Sequence, residues 1–304
     1  MLTVQKSVRR KRSAMQRNES LWGYLLIAPN FLGFLIFFAI PVIFGLVISV
    51  SNYNGFKRFD LIGFSNYVNL FSDKFFIIAL KNNIYYSLLY VPLTLAAALL
   101  LALGLNKSRP MNSLFKTVFY FPSITSIVAI AIVWAIIMSP GNGPLNAFLR
   151  AVGFANPPKW LASSKTALLS IIIIMAWKNA GYYMIMFLGG LKGIPVQLYE
   201  AARIDGADNW KLFAHITWPM LSPTTFMVLI LCIISSFQVF DAINILTEGG
   251  PGNATTVIVF RIYQEGFVSL DFGYAASMAY FLFLIILVIT LVQFWGQKKW
   301  VNYD

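Results

Sequence analysis

The 304-residue chain is 59% hydrophobic and 16% aromatic, and only 11% of it is Asp, Glu, Lys or Arg. A soluble domain is usually about 45–50% apolar, so these proportions exclude a soluble globular protein and point to an integral membrane protein. The formal net charge of +12 reads as topology signals and headgroup contacts, not as a nucleic-acid surface. One Cys (Cys232) and one His (His215) exclude an internal disulfide and a His/Cys metal cluster.

A spanning helix needs about 20 mostly apolar residues. The chain opens with a basic tail, residues 1–22, carrying Lys6, Arg9, Arg10, Lys11, Arg12 and Arg17. The apolar run that follows, about 23–50, is too long for the core of a cleaved signal peptide and continues through Pro41 and Val42. It reads as an uncleaved first helix, with the tail cytoplasmic by the positive-inside rule. Further spans are expected at about 84–105, 117–138, 167–190, 224–246 and 275–297, with Pro92 and Pro122 tolerated as kinks. Six spans return Lys298 and Lys299 to the side of the tail. The fold class is therefore an all-α membrane protein with six transmembrane helices and both termini cytoplasmic. Lys and Arg are moderately biased to that side, with Lys178 alone inside a span. The outer loop 140–165 mixes turn formers with Leu145, Phe148, Leu149 and Trp160, which predicts a short interfacial helix with Trp160 at the headgroup level.

Between spans four and five lies EAARIDGADNWKLFAHITWP, residues 200–219, which gathers Glu200, Arg203, Asp205, Asp208 and Lys211 in an otherwise oily chain. Pro195 can open a helix there, Gly206 can end it in a left-handed conformation, and Asp208 or Asn209 can cap a second helix. Pro219 and Pro223 are expected to break that helix before span five. Ala201 and Ala202 let another surface approach the backbone closely. The segment reads as a rigid polar knob suited to docking a soluble partner.

Glu200-Ala201-Ala202, followed by Gly206, Ile216 and Pro219, resembles the EAA loop of ABC importer permeases. The fuller EAARIDGA, with Asp205, Gly206 and Ala207, is similar to that of binding-protein-dependent sugar importers. LTEGGPGNATTV (246–257), after FQVFDAINI, resembles the outer end of span five and its following loop in maltose-type permeases. The resemblance implies the type I transmembrane fold of ABC importers, with a permease domain over 23–304 and a coupling loop at about 192–223. It implies that Glu200 pairs with a basic group on an ATPase, that Ala201 and Ala202 pack in its groove, and that Gly206 allows the turn, with Asp205 and Ala207 also among the coupling residues. It also implies a second permease subunit, a dimeric cytoplasmic ATPase, and an extracytoplasmic binding protein delivering a sugar or oligosaccharide, in a bacterial or archaeal cell membrane. The nearest approach to a Walker A sequence, GLNKS at 104–108, lacks the spacing. ATP and Mg are thus expected on the partner ATPase, with no catalytic residue and no cofactor in this chain.

Polar residues inside spans point to a solute path. Lys178 and Asn179 fall near the middle of span four, with Tyr182 and Tyr183 one turn on, and Ser235, Ser236, Gln238 and Asp241 fall in the second half of span five. Ionisable groups at that depth are costly and usually face protein or a water-filled cavity. The candidates for the substrate path are Lys178, Asn179, Tyr182, Ser235, Ser236, Gln238 and Asp241, a set offering both hydroxyl partners and aromatic faces. A structural pair, Lys178 with Asp241, is the alternative. A sugar phosphate would call for several basic residues. An ion-driven secondary transporter would usually show repeats and broken helices.

Overall fold

A computed structural model of the protein describes residues 14–56, 59–106 and 111–301. Most of the basic tail, including Lys6 and Arg9 to Arg12, and also Lys57, Arg58, Lys107 and Arg109, lie outside the described residues. The apolar runs form helices, as backbone groups in a bilayer must be satisfied within their own segment. Apart from one antiparallel bridge, Ser51 with Leu61, no strand pairing occurs among the described residues.

The first span is α1 (Ala14–Phe34), a π-helical turn (Leu35–Ala39) and α2 (Ile40–Ser49). The wide turn falls just before Pro41, whose ring would clash with the carbonyl four residues back in a regular helix. A short α3 (Ser65–Leu70) precedes α4 (Lys74–Leu105). Asp73 caps α4 by accepting the Phe75 N–H at 2.8 Å, and Pro92 lies inside α4 without interrupting it.

The third expected span, 117–138, is not one helix. It is α5 (Asn112–Ile124) and α6 (Ile127–Ile137), bent by 97°. Thr125 and Ser126 between them are extended, with ψ of 145° and 130°, and the Thr125 hydroxyl donates to the freed Phe121 carbonyl at 2.9 Å. In the loop 140–165, α7 (Pro144–Ala151) supplies the expected short helix. Trp160 donates its indole N–H to the buried Asn146 at 2.6 Å.

The fourth span is α8 (Ala167–Gly193), followed by α9 (Val196–Ile204), α10 (Asn209–Leu212), a π turn (Phe213–Thr217) and α11 (Trp218–Met220). The fifth span is again broken. The helical run Asn209–Met220 bends by 63° into α12 (Ser222–Phe237), and the chain resumes as α13 (Asp241–Leu246) only after an irregular Gln238–Phe240. Then come α14 (Ile258–Tyr263), a π turn (Gln264–Val268) and α15 (Phe272–Gln297). Among the described residues four runs are long and apolar enough to cross a membrane, and the number is six with each bent pair taken as one span. The fold is an all-α membrane fold of six spans, with the third and fifth broken.

The main core lies where α4 packs on α8 and α12, around Tyr86, Tyr90, Ile171, Met184, Phe187 and Val228. In lipid such packing rests on close fit and interhelical hydrogen bonds. A second cluster, with Phe76, Phe237, Ile258 and Met278, seats α15. The apolar window of the first span buries none of its residues. It joins the rest through α2, where the Tyr280 hydroxyl donates to the Val42 carbonyl.

Candidate functional site

Two regions carry the residues singled out in the sequence. The first is the charged loop. Pro195 sits just before α9 in an extended conformation (φ −59°, ψ 131°), where its missing N–H costs nothing. Gly206 adopts φ +81°, and the Ala207 N–H reaches back to the Ala202 carbonyl at 2.9 Å, closing the helix end. Asp208 accepts the Lys211 N–H at 2.8 Å and so caps α10. The Tyr199 hydroxyl lies 3.0 Å from Thr217 Oγ1 and ties α9 to the returning segment.

Glu200, Ala201, Asp205 and Gly206 are exposed, while Ala202 and Ala207 are half-buried. Two apolar residues that sequence reasoning passed over stand out beside them: Ile204 is 87% exposed and Trp210 is 73% exposed. Their signal was apolar character inside the one charged stretch. The break expected from Pro219 and Pro223 falls between them, at Leu221, and the helix runs past Pro219 before it. A π turn spans His215, the fourth residue before Pro219.

The second region is a cleft of about 310 Å³ among α4, α6, α8 and the break between α12 and α13. Lys178, Asn179, Ser235, Gln238 and Asp241 all line it, so five of the seven expected residues converge. Tyr86, Tyr90 and Phe240 line it too and were not foreseen. Irregular backbone at such depth is tolerated where it faces a cavity, which is where Gln238 to Phe240 lie. Asn179 Nδ2 donates to the Tyr90 hydroxyl at 2.7 Å. The Tyr86 and Tyr90 rings stack with centroids 5.2 Å apart. Ser235 Oγ donates to the Cys232 carbonyl at 2.9 Å and lies 3.3 Å from the Tyr183 hydroxyl.

The other two expected residues lie elsewhere. Ser236 is fully buried, with its hydroxyl 2.7 Å from Ser87 Oγ. Tyr182 is half exposed and set edge-on against Tyr183, outside the cleft. Nor does the Lys178–Asp241 pair form: no ion pair joins them among the described residues, and Lys178 Nζ donates instead to the Ser123 carbonyl at 3.0 Å. A larger cleft of about 560 Å³ between α4, α5 and α8 is lined only by apolar residues such as Leu93, Phe119 and Trp177. It offers a hydrophilic solute nothing to bind. No group of three His, Cys, Asp or Glu able to hold a metal occurs among the described residues.

Residues 92–301 match the family described as binding-protein-dependent transport system inner membrane component. The chain belongs to that family. This permease is 34% identical over 293 residues to the lactose transport system permease protein LacF of Rhizobium radiobacter, covering 95% of this chain and 98% of that one. It is 32% identical over 282 residues to the sn-glycerol-3-phosphate transport system permease protein UgpA of Agrobacterium fabrum, covering 92% and 96%. Its fold is similar, with a TM-score of 0.84 and 27% identity, to a chain of a bacterial alginate ABC transporter in complex with alginate pentasaccharide-bound periplasmic protein, over 95% of this chain and 98% of that chain. The permease is thus a multi-pass membrane subunit of a binding-protein-dependent ABC transport system, and its work is transport, not catalysis.

Proposed function

We propose that the permease forms half of the translocation pathway of an ATP-driven importer for a neutral carbohydrate. The cleft carries this reading. It sets amide and hydroxyl groups (Asn179, Ser235, Gln238) beside the half-buried ring of Phe240, with Tyr86 and Tyr90 buried in its wall, at the level where span five is broken. Sugars need hydrogen-bond partners and flat apolar faces together. One ammonium and one carboxylate leave the lining with no net charge, and the ammonium is already engaged. A phosphorylated solute would call for several cationic donors, so the neutral reading is preferred over a sugar phosphate. In this reading a second permease subunit completes the path, and an extracytoplasmic binding protein delivers the sugar.

The loop at 192–223 is proposed to lie in the cytoplasm, as do both termini. It would dock on a dimeric ATPase that holds ATP and Mg, with Glu200, Ala201, Ala202, Asp205, Gly206 and Ala207 at the contact. Both ATP and the loaded binding protein would then have to prefer the outward-facing state, because a ligand shifts an equilibrium only through differential affinity.

The test is uptake into proteoliposomes by the purified complex with its binding protein. ATP-dependent accumulation of a neutral mono- or oligosaccharide is expected. Accumulation of phosphorylated solutes alone would overturn the neutral-sugar reading, and uptake driven by an ion gradient without ATP would overturn the coupling.

A further inference from the structure

We infer that Lys178 is a positioning residue for transport: its ammonium holds the bend between α5 and α6, and with it one wall of the cleft, instead of binding the solute. An ammonium in mid-span needs a partner, and Lys178 is only 8% exposed. Its Nζ donates to the Ser123 carbonyl at 3.0 Å, while the Ser123 hydroxyl donates to the carbonyl of Lys178 at 2.8 Å. The two residues hold each other reciprocally across α5 and α8.

The choice of acceptor is what the bend requires. The last four carbonyls of a helix have no partner within it, and they form the negative end of its dipole, which favours a cation. Because α5 stops at Ile124 and Thr125 is extended, the Ser123 carbonyl is one of these four. The Phe121 carbonyl, another, is served by Thr125. Lys178 therefore caps the C-terminus of α5.

One turn further along α8, Gly181 brings the two backbones together, since a Cβ there would stand 1.9 Å from the Phe119 carbonyl oxygen. So α5 is pinned to α8 at two neighbouring points, and the 97° bend begins directly after them. Beyond it α6 opens with Ile127, which lines the cleft, and packs on α13, whose first residue Asp241 also lines it. The cap on α5 thus sets where this wall stands. Asp241 faces the same cleft without pairing to Lys178, so the ammonium is committed to the backbone. The inference goes beyond the carbohydrate reading and does not depend on which solute is carried.

The test uses the full chain assembled with its partners in nanodiscs. Spin labels are placed at Leu114→Cys and Ile136→Cys, both exposed and near the far ends of α5 and α6, with the buried Cys232 replaced by Ala. The expected result is a narrow distance distribution with Lys178, a broadened or shifted one in Lys178→Met, and recovery of the narrow one in Lys178→Arg, which keeps a long cationic donor. A narrow, unshifted distribution in Lys178→Met overturns the inference. So does that distribution combined with a raised KM for uptake, which would return Lys178 to solute contact. Should the Met variant fail to assemble, Lys178→Gln keeps a polar group without the reach, and an unshifted narrow distribution there is equally fatal.

Discussion

Asn83 donates its side-chain amide to the Ser236 carbonyl at 3.2 Å while its oxygen accepts the Ile258 N–H at 3.3 Å. One fully buried residue of α4 thus serves the end of α12 and the start of α14 at once. Both are helix-terminal groups without a partner inside their own helices. Its neighbour Asn82 donates to the Asn253 and Thr256 carbonyls, both at 2.9 Å, and so fixes the loop between α13 and α14. Asn83→Ala strands two buried backbone groups, each costing about 1–3 kcal/mol when unsatisfied. A destabilisation of that order is expected in thermal unfolding of the detergent-solubilised protein. Ser87→Ala, which removes one hydroxyl contact to Ser236, is expected to cost less, about 0.5–1 kcal/mol, because Ser236 keeps the Ile233 carbonyl. Equal losses in the two variants would refute the bridging role of Asn83.

Gly181 and Gly189 lie on the same helix and make opposite forecasts. A Cβ at Gly181 would meet the Phe119 carbonyl oxygen at 1.9 Å and the Tyr120 Cα at 2.9 Å, backbone atoms that cannot swing aside. Gly181→Ala should therefore push α5 off α8, with an overpacking cost of about 1–3 kcal/mol or more. Gly189 has nothing within 4 Å of the same position, so Gly189→Ala should be neutral or gain up to about 1 kcal/mol from helix propensity. Thermal unfolding of the two variants side by side checks the contrast, and parity between them would show that the α5–α8 approach is not as close as described.

How far the sequence reached is decided by which features are local. The spans were legible because hydropathy is a property of a window, and the caps at Gly206 and Asp208 because each needs only its own few residues. The bend in the third span and the irregular stretch after Phe237 were not. Gln238-Val239-Phe240 contains neither Pro nor Gly, and what supports that ending is Asn83, more than a hundred residues away. The same holds for Lys178. Asp241 was the obvious partner by charge, but the bend after Ile124 releases a nearby carbonyl that composition could not reveal. Tyr86 and Tyr90 escaped because an aromatic residue in an apolar run reads as packing. Their signal was the spacing of Asn83, Tyr86, Ser87, Tyr90 and Thr94, which places every polar group of the α4 interior on one helical face.

The charged loop makes a prediction that separates folding from coupling. Glu200 is exposed and takes no part in the hydrogen bonds that close α9, so Glu200→Lys should insert and fold normally. If the loop docks on an ATPase, reversing this charge sets like against like. At least a tenfold loss of binding-protein-stimulated ATP hydrolysis is expected, equivalent to about 1.4 kcal/mol. Normal stimulation in that variant would remove Glu200 from the contact. Ile204→Ser, at the most exposed apolar side chain of the loop, should weaken retention of the ATPase during purification while leaving thermal stability unchanged.

Asn179 and Tyr182 were proposed together as solute contacts, and the structure separates them. Asn179 lines the cleft and holds the Tyr90 hydroxyl. Tyr182 lies outside it, half exposed. If the cleft holds the solute, Asn179→Leu removes a donor from it and frees Tyr90 from its partner. A hydrogen bond is worth about 0.5–1.5 kcal/mol net, so two affected bonds place the rise in KM for uptake at roughly tenfold. Tyr182→Phe deletes a hydroxyl that no part of the cleft uses and should leave both KM and maximal uptake unchanged. Uptake kinetics of the two variants at equal reconstituted protein decide the matter. A KM shift in Tyr182→Phe with none in Asn179→Leu would move the solute path to the other side of α8, away from the broken fifth span.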